Sequence, residues 1–249
     1  MSSILEKEGI PRRTMVLFFV VDTSGSMEGK KIGAVNQAIR EAVPEIQDLN
    51  NGSDALIKIA ALEFSSGARW LTTGGPVEAE QYHWRDVDAA GTTDLGAACK
   101  TLNEKLSTKE NGFMKEATGS FAPAIFLLSD GDPTDDWQKE LNNLKQNNWF
   151  RAAVKIAIAI GDDANKDVLK EFTGNRETVL EVYNPAMLMK MIKFVSVTAS
   201  KVASKSSNAV DPSQGGADNQ AKTEEMIENL QEFKEELAED PGANAREEM

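Results

Sequence analysis

The chain has one cysteine, Cys99, and one histidine, His83, in 249 residues. A single thiol excludes a disulfide within the chain and a zinc ribbon. A single imidazole excludes histidine-based metal sites, and any catalytic dyad would have to use His83. His83 lies in Q-Y-H-W-R and reads as a surface residue, while Cys99 reads as a small apolar residue on a helix. No phosphate loop of the form G-x-x-x-x-G-K-[ST] appears, and no internal repeat is visible. The most prominent apolar run, Val16 to Val21, is too short to span a membrane. The N-terminal M-S-S-I-L-E-K-E-G has no apolar signal region, so the expected location is the cytoplasm. Basic residues are also scarce, with 27 Lys+Arg against 40 Asp+Glu and a net charge of −13. That balance argues against nucleic acid and anionic membrane as partners. The excess acid is concentrated late: from Ser200 onward five basic and twelve acidic residues give a net of −7.

Against these absences stands Val16 to Ser26, V-L-F-F-V-V-D-T-S-G-S. Its six apolar residues suit a strand buried on both faces, as in a parallel sheet. The strand ends at Asp22, and Asp22, Ser24 and Ser26 then alternate around Gly25, which permits a tight turn. Three oxygen-bearing side chains thus gather at the C-terminal end of a central strand, where open α/β sheets bind ligands. Carboxylate and hydroxyl oxygens suit Mg²⁺, Mn²⁺ or Ca²⁺ rather than zinc.

The remainder alternates helix and strand. Ile32, Val35, Ile39, Ala42, Val43 and Ile46 recur at helical spacing over residues 30–47, with Pro44 near the end and an N-N-G-S turn after it. Strands are expected over residues 56–64, 68–72, 124–128, 154–160 and 179–182. Helices are expected over 95–106, 135–147 and 166–172, and from Pro185. Asp94 or Thr93 is placed to cap the first of these, and Thr134 the second. Asp132, Asp135 and Asp136 read as helix-start acids. The tryptophans read as core or rim, Met27 and Glu28 as the rim of the Asp22 loop, and Arg12 and Arg13 as solvated. The fold class is α/β, a doubly wound, mostly parallel sheet with helices on both faces. Four segments follow: a domain over 10–200, a flexible linker over 201–220, an acidic amphipathic helix over 221–239 and a disordered tail over 240–249. Met226, Leu230, Phe233 and Leu237 form a narrow stripe on that helix, able to dock on this domain or on a partner.

Two further segments complete a pattern. G-T-T-D-L-G places a threonine in a loop leading into a helix, and S-D-G-D-P-T places Asp130 at the end of an apolar strand. With D-T-S-G-S they resemble, in order, the metal-ion-dependent adhesion site (MIDAS) of the von Willebrand factor A family, over roughly residues 10–200. The resemblance implies a Rossmann-like six-stranded sheet in the order 3-2-1-4-5-6, the short third strand antiparallel at the edge. It implies that Ser24, Ser26 and Thr93 ligate a metal ion through their hydroxyls, with Asp22 and Asp130 acting mainly through bound water. The family usually has Gly-Gly-Thr where this chain has Gly91-Thr92-Thr93, so Thr92 is an alternative to Thr93.

The implied function is metal-dependent binding of a protein partner that donates an Asp or Glu to the ion. The chain also resembles the TerY-type tellurite-resistance group of bacteria, whose short cytoplasmic members are associated with a protein kinase and a PP2C-type phosphatase. The alternatives are a subunit of a metal-chelatase or ATPase assembly, and a Mg²⁺-dependent phosphatase of haloacid-dehalogenase type. The last needs D-x-D, and Ser24 occupies the place of its second acid. No catalysis is expected.

Overall fold

The computed structural model describes residues 13–52, 55–115, 121–182, 184–204 and 217–239. At its centre lies β1 (Arg13–Asp22), which is buried along its whole length after Arg13. Its side chains obey the period of two that a strand imposes. Met15, Leu17, Phe19 and Val21 enter one core, and Val16, Phe18 and Val20 enter the other on the opposite face. A helix layer covers each face, which explains why β1 reads as a continuous apolar run rather than an alternating one.

Six strands form the path β3-β2-β1-β5-β6-β7. The neighbours of β1 are β2 (Ala55–Ser65) and β5 (Ala124–Ser129), both parallel to it. Next to β5 come β6 (Val154–Ile160) and β7 (Val179–Val182), also parallel. The antiparallel edge is β3 (Gly67–Trp70), as expected. A seventh strand, β4 (Val77–Glu78), also pairs antiparallel with β2. Its two residues are too few to leave a periodic signal, and they follow a Gly-Gly-Pro turn that reads as the end of the edge.

One face is covered by α1 (Lys30–Gly52) and α6 (Pro185–Ser204), the other by α2 (Leu95–Lys105), α3 (Trp137–Lys145), α4 (Asn148–Ala152) and α5 (Lys166–Thr173). Helix α1 runs through Pro44 and takes in Asn50-Asn51-Gly52, which reads as a turn. Asn50 accounts for the extension: its Oδ1 accepts from Ile57 N at 2.8 Å and its Nδ2 donates to Glu80 at 3.0 Å, docking the last helical turn onto β2. The helix expected over 135–147 ends early because Asn147 starts a new one. Its side chain accepts from Trp149 N and Phe150 N, and its amide donates to Asn103 Oδ1 and Leu106 O. Two expected roles change. Met27 is fully buried in the core rather than at a rim. Arg13 is half-buried and lies over the Phe121 ring, 3.9 Å from its centroid, rather than fully solvated. Cys99 is buried on α2 as its composition suggests.

At the C-terminal end, α6 continues to Ser204 and α7 (Ala217–Glu239) begins at Ala217, so residues 201–204 and 217–220 are helical where composition reads as linker. The rest of the linker, the tail over 240–249 and residues 10–12 of the expected domain lie outside the described residues. The apolar stripe of α7 faces this domain. Met226, Leu230 and Leu237 are buried in the same core as α6, and Phe233 stacks on Phe194 with ring centroids 4.0 Å apart.

Candidate metal centre

The site is built where β1 and β5 end side by side. The register pairs Val21 with Leu128, which brings Asp22 level with Ser129. The Ser129 hydroxyl donates to Asp22 Oδ2 at 2.5 Å, and Gly131 N donates to the same hydroxyl at 2.8 Å. The other oxygen, Asp22 Oδ1, accepts from Ser24 N at 2.9 Å, an Asx-type turn that starts the loop. The turn brings the Ser24 and Ser26 hydroxyls to 3.1 Å from each other. Asp22 has no exposed surface, and burial, set against the hydrogen bonds from Ser129 and Ser24, pushes its carboxyl up to about 6. The nearby Asp130 charge pushes in the same direction. A divalent cation would relieve such a carboxylate.

Three loops are laced together around it. Ala90 N donates to Thr23 O at 2.8 Å and Gly25 N to Gly91 O at 3.0 Å. A Cβ on Gly25 would lie 3.2 Å from that carbonyl, so a side chain there would push the two loops apart by a few tenths of an ångström. Thr93 is held from both sides: its N–H donates to Thr134 Oγ1 at 3.1 Å, and its carbonyl accepts from Thr134 N at 2.8 Å. Thr134 therefore braces Thr93 rather than capping α3. The Thr92 hydroxyl is committed elsewhere, 2.9 Å from Ser66 Oγ and donating to Asp94 Oδ1 at 3.1 Å. Thr92 is exposed and Thr93 buried, which favours Thr93 of the two.

Helix α2, which follows Thr93, is capped from across the site. Asp94 is its N-cap by position but makes no cap bond; it accepts from Gly67 N instead. The cap is Asp135, whose two oxygens accept from Gly96 N at 3.0 Å and Ala97 N at 3.1 Å. Thus Asp135 reads as a start acid of its own helix but serves a neighbouring one.

Asp130 is 4% exposed. Its Oδ2 accepts from Lys31 Nζ at 3.2 Å, while its Oδ1 is buried with no hydrogen-bond partner. Lys31 Nζ also donates to both oxygens of Asp163, at 2.8 and 3.0 Å. Burial works against the Lys31 ammonium, but Asp163 and Asp130 together outweigh it and hold its pKa above the ordinary value. Neither Lys31 nor Ser129 stands out in the sequence. Lys31 looks like any polar residue in a first helical turn, and Ser129 like the last residue of a strand.

Two observations test whether these residues suit a cation. A carboxylate oxygen orphaned in the interior is costly unless something positive faces it. Among the described residues, no group of three or more His, Cys, Asp or Glu could hold a metal by itself, so an ion here would rest on hydroxyls. Ser24, Ser26, Thr93 and the free oxygen of Asp130 fit a hard cation with few charged ligands.

An open, mostly parallel α/β sheet with a hydroxyl-and-carboxylate cluster at its central strand end defines the class. The von Willebrand factor type A domain model matches residues 17–193, and the chain belongs to that family. Inter-alpha-trypsin inhibitor heavy chain H4 of Homo sapiens is 33% identical over 132 residues, covering 51% of this chain and 13% of that protein. Heavy chain H1 of Mesocricetus auratus is 29% identical over 119 residues, covering 48% of this chain and again 13% of the relative. The chain therefore spans a small part of these relatives. Among solved structures, a von Willebrand factor type A protein from Catenulispora acidiphila superposes with a TM-score of 0.56 at 18% identity, covering 76% of this chain and 43% of that one. Proximal thread matrix protein 1 from the mussel byssus, described with a zinc-occupied MIDAS motif, gives 0.53 at 19% identity, covering 76% of this chain and 48% of that one. At these identities the superpositions speak for the fold. Von Willebrand factor type A domains are in general protein-interaction modules. No described helix is long and apolar enough to cross a membrane.

Proposed function

We propose that this chain is a metal-ion-dependent protein-binding adaptor that recognises an acidic side chain of a partner at the end of β1. The observation that best supports this is the buried, unpartnered Oδ1 of Asp130, set at the end of the strand beside the one that presents Ser24 and Ser26. Ser24, Ser26 and Thr93 would hold the ion through neutral hydroxyls, with Asp22 and Asp130 behind them acting through water. When bound, the ion supplies a positive charge that its ligands leave partly uncancelled and open to one more carboxylate. Mg²⁺ suits this donor set, as do Mn²⁺ and Ca²⁺. The chain's own residues supply the orientation. Ser129 fixes Asp22, Lys31 fixes Asp130, and Thr134 fixes the Thr93 backbone. The site is for recognition, not turnover, because Ser24 stands where a phosphatase would carry its second acid.

The setting we favour is a bacterial cytoplasmic signalling or tellurite-type stress system with a protein kinase and a PP2C-type phosphatase as partners. The sequence style of D-T-S-G-S-M and S-D-G-D-P-T-D supports it. Affinity capture with wild type and a Ser24→Ala/Ser26→Ala variant, each with and without EDTA, tests the adaptor reading. Partners should be held by wild type without chelator and lost in the other three arms. The same partners in all four arms would overturn it.

A further inference from the structure

The Lys31 ammonium lies within hydrogen-bonding distance of three carboxylate oxygens. One is Asp130 Oδ2, at 3.2 Å; the other two belong to Asp163, at 2.8 and 3.0 Å. The two acids differ in their surroundings. The Asp130 side chain is 4% exposed and the Asp163 side chain 70% exposed, with Lys31 at 9% between them. The contact with Asp163 is therefore screened by water and the contact with Asp130 is not. The tie depends on a specific backbone shape. Gly161 has φ +90°, and a Cβ there would lie 2.8 Å from Lys31 Cε and 2.7 Å from Asp163 Oδ1. A left-handed glycine thus clears the path along which the lysine reaches β5 and the loop after β6.

We propose that Lys31 is a positioning residue that sets the charge of the metal site, acting through Asp130; this rests on the metal-dependent reading above. Asp22 and Asp130 alone would cancel the two charges of a divalent ion. With Lys31 pressed against buried Asp130, and the charge of exposed Asp163 screened by water, net positive charge remains at the ion for a single Asp or Glu from a partner to neutralise. The ammonium contacts Oδ2, and Oδ1 is the oxygen of Asp130 left without a partner. Lys31 thus weakens the hold on the cation and strengthens the demand for a carboxylate from outside.

The test is Mn²⁺ binding by calorimetry to the full chain as wild type, Lys31→Met, Lys31→Arg and Asp163→Asn. Lys31→Met should bind Mn²⁺ about tenfold more tightly, although its metal-free form melts lower because Asp130 has lost its partner. Lys31→Arg, which keeps the charge, should stay within about threefold of wild type. Asp163→Asn leaves the ammonium less compensated and should bind Mn²⁺ more weakly. A purely structural lysine predicts the opposite for Lys31→Met, weaker binding along with lower stability. If wild type binds Mn²⁺ and Lys31→Met binds it no more tightly, the charge-setting role is wrong while the metal reading stands. If Lys31→Met does not fold, unchanged or tighter binding by Asp163→Asn is the overturning result. If wild type takes up no Mn²⁺, the metal reading fails and this inference falls with it.

Discussion

Ser129 Oγ donates to Asp22 Oδ2 at 2.5 Å across the seam between β5 and β1. Both residues are buried, and the bond locks the first acid of the site to the strand that carries the second. Ser129→Ala leaves one oxygen of a buried carboxylate without its donor, a cost of about 1–3 kcal/mol. Thermal or urea unfolding of the metal-free protein should show a loss in that range. Mn²⁺ affinity should fall as well, because Asp22 is then free to turn.

Gly96 sits where Asp135 caps α2. A Cβ there would lie 2.7 Å from Asp135 Oδ2 and 3.0 Å from the Trp137 backbone. Gly96→Ala should therefore destabilise the fold by about 1–3 kcal/mol, although alanine is the better helix former. Asp135→Ala should cost about 0.5–2 kcal/mol through loss of the cap. Chemical denaturation of both variants checks this. A neutral or stabilising Gly96→Ala would contradict the close packing at this helix start.

The G-T-T-D-L-G segment shows how much of the candidate site was legible. Its threonine, like Asp22, Ser24, Ser26 and Asp130, lies in a short local motif, and such motifs carry their own signal. The order of the sheet followed from resemblance and agrees with the path around β1. The residues that hold the site in place were not visible. Lys31, Ser129, Thr134 and Asp135 each act on a partner distant in the chain: Lys31 on Asp163, 132 positions away, and Ser129 on Asp22, 107 away. Helical period and turn chemistry report on neighbours within a few residues, so such long-range ties leave no trace in them. Met27 was misplaced for a related reason. The turn around Gly25–Met27 folds its third residue back under the loop, and only the tertiary packing reveals that side.

Burial pushes the Lys155 ammonium down to about 8 from the ordinary 10.5, and its Nζ donates to Phe150 O and Ala153 O at 3.0 Å each. The sign follows from proton counts. The unfolded chain keeps this proton up to about pH 10 while the folded one loses it near 8, so folding opposes protonation. The resulting penalty is full below pH 8 and fades as pH rises toward 10.5. Wild type should gain on Lys155→Met by about 2–3 kcal/mol between pH 7 and 10. Denaturation of both at several pH values measures this, and a difference that does not change with pH would contradict it.

Helix α7 docks through a narrow stripe, so it should detach without unfolding the domain. Leu230 is 1% exposed and Phe233 stacks on Phe194. Leu230→Asp buries a charge in that seam, and Phe233→Ala removes the stack. Hydrogen exchange should rise across residues 217–239 in both variants, while β1 and β5 keep their protection. Equal loosening of the central strands would show that the sheet does not hold without α7.

The most direct test of the cation-centred account is Mn²⁺ titration followed by the relaxation of water protons, which reads both binding and open coordination. Wild type should bind one Mn²⁺ with enhanced relaxation, and added acetate should reduce the enhancement as carboxylate displaces water. Ser24→Ala/Ser26→Ala should show neither effect. A wild-type response absent, or equal to that of the double variant, would contradict the account.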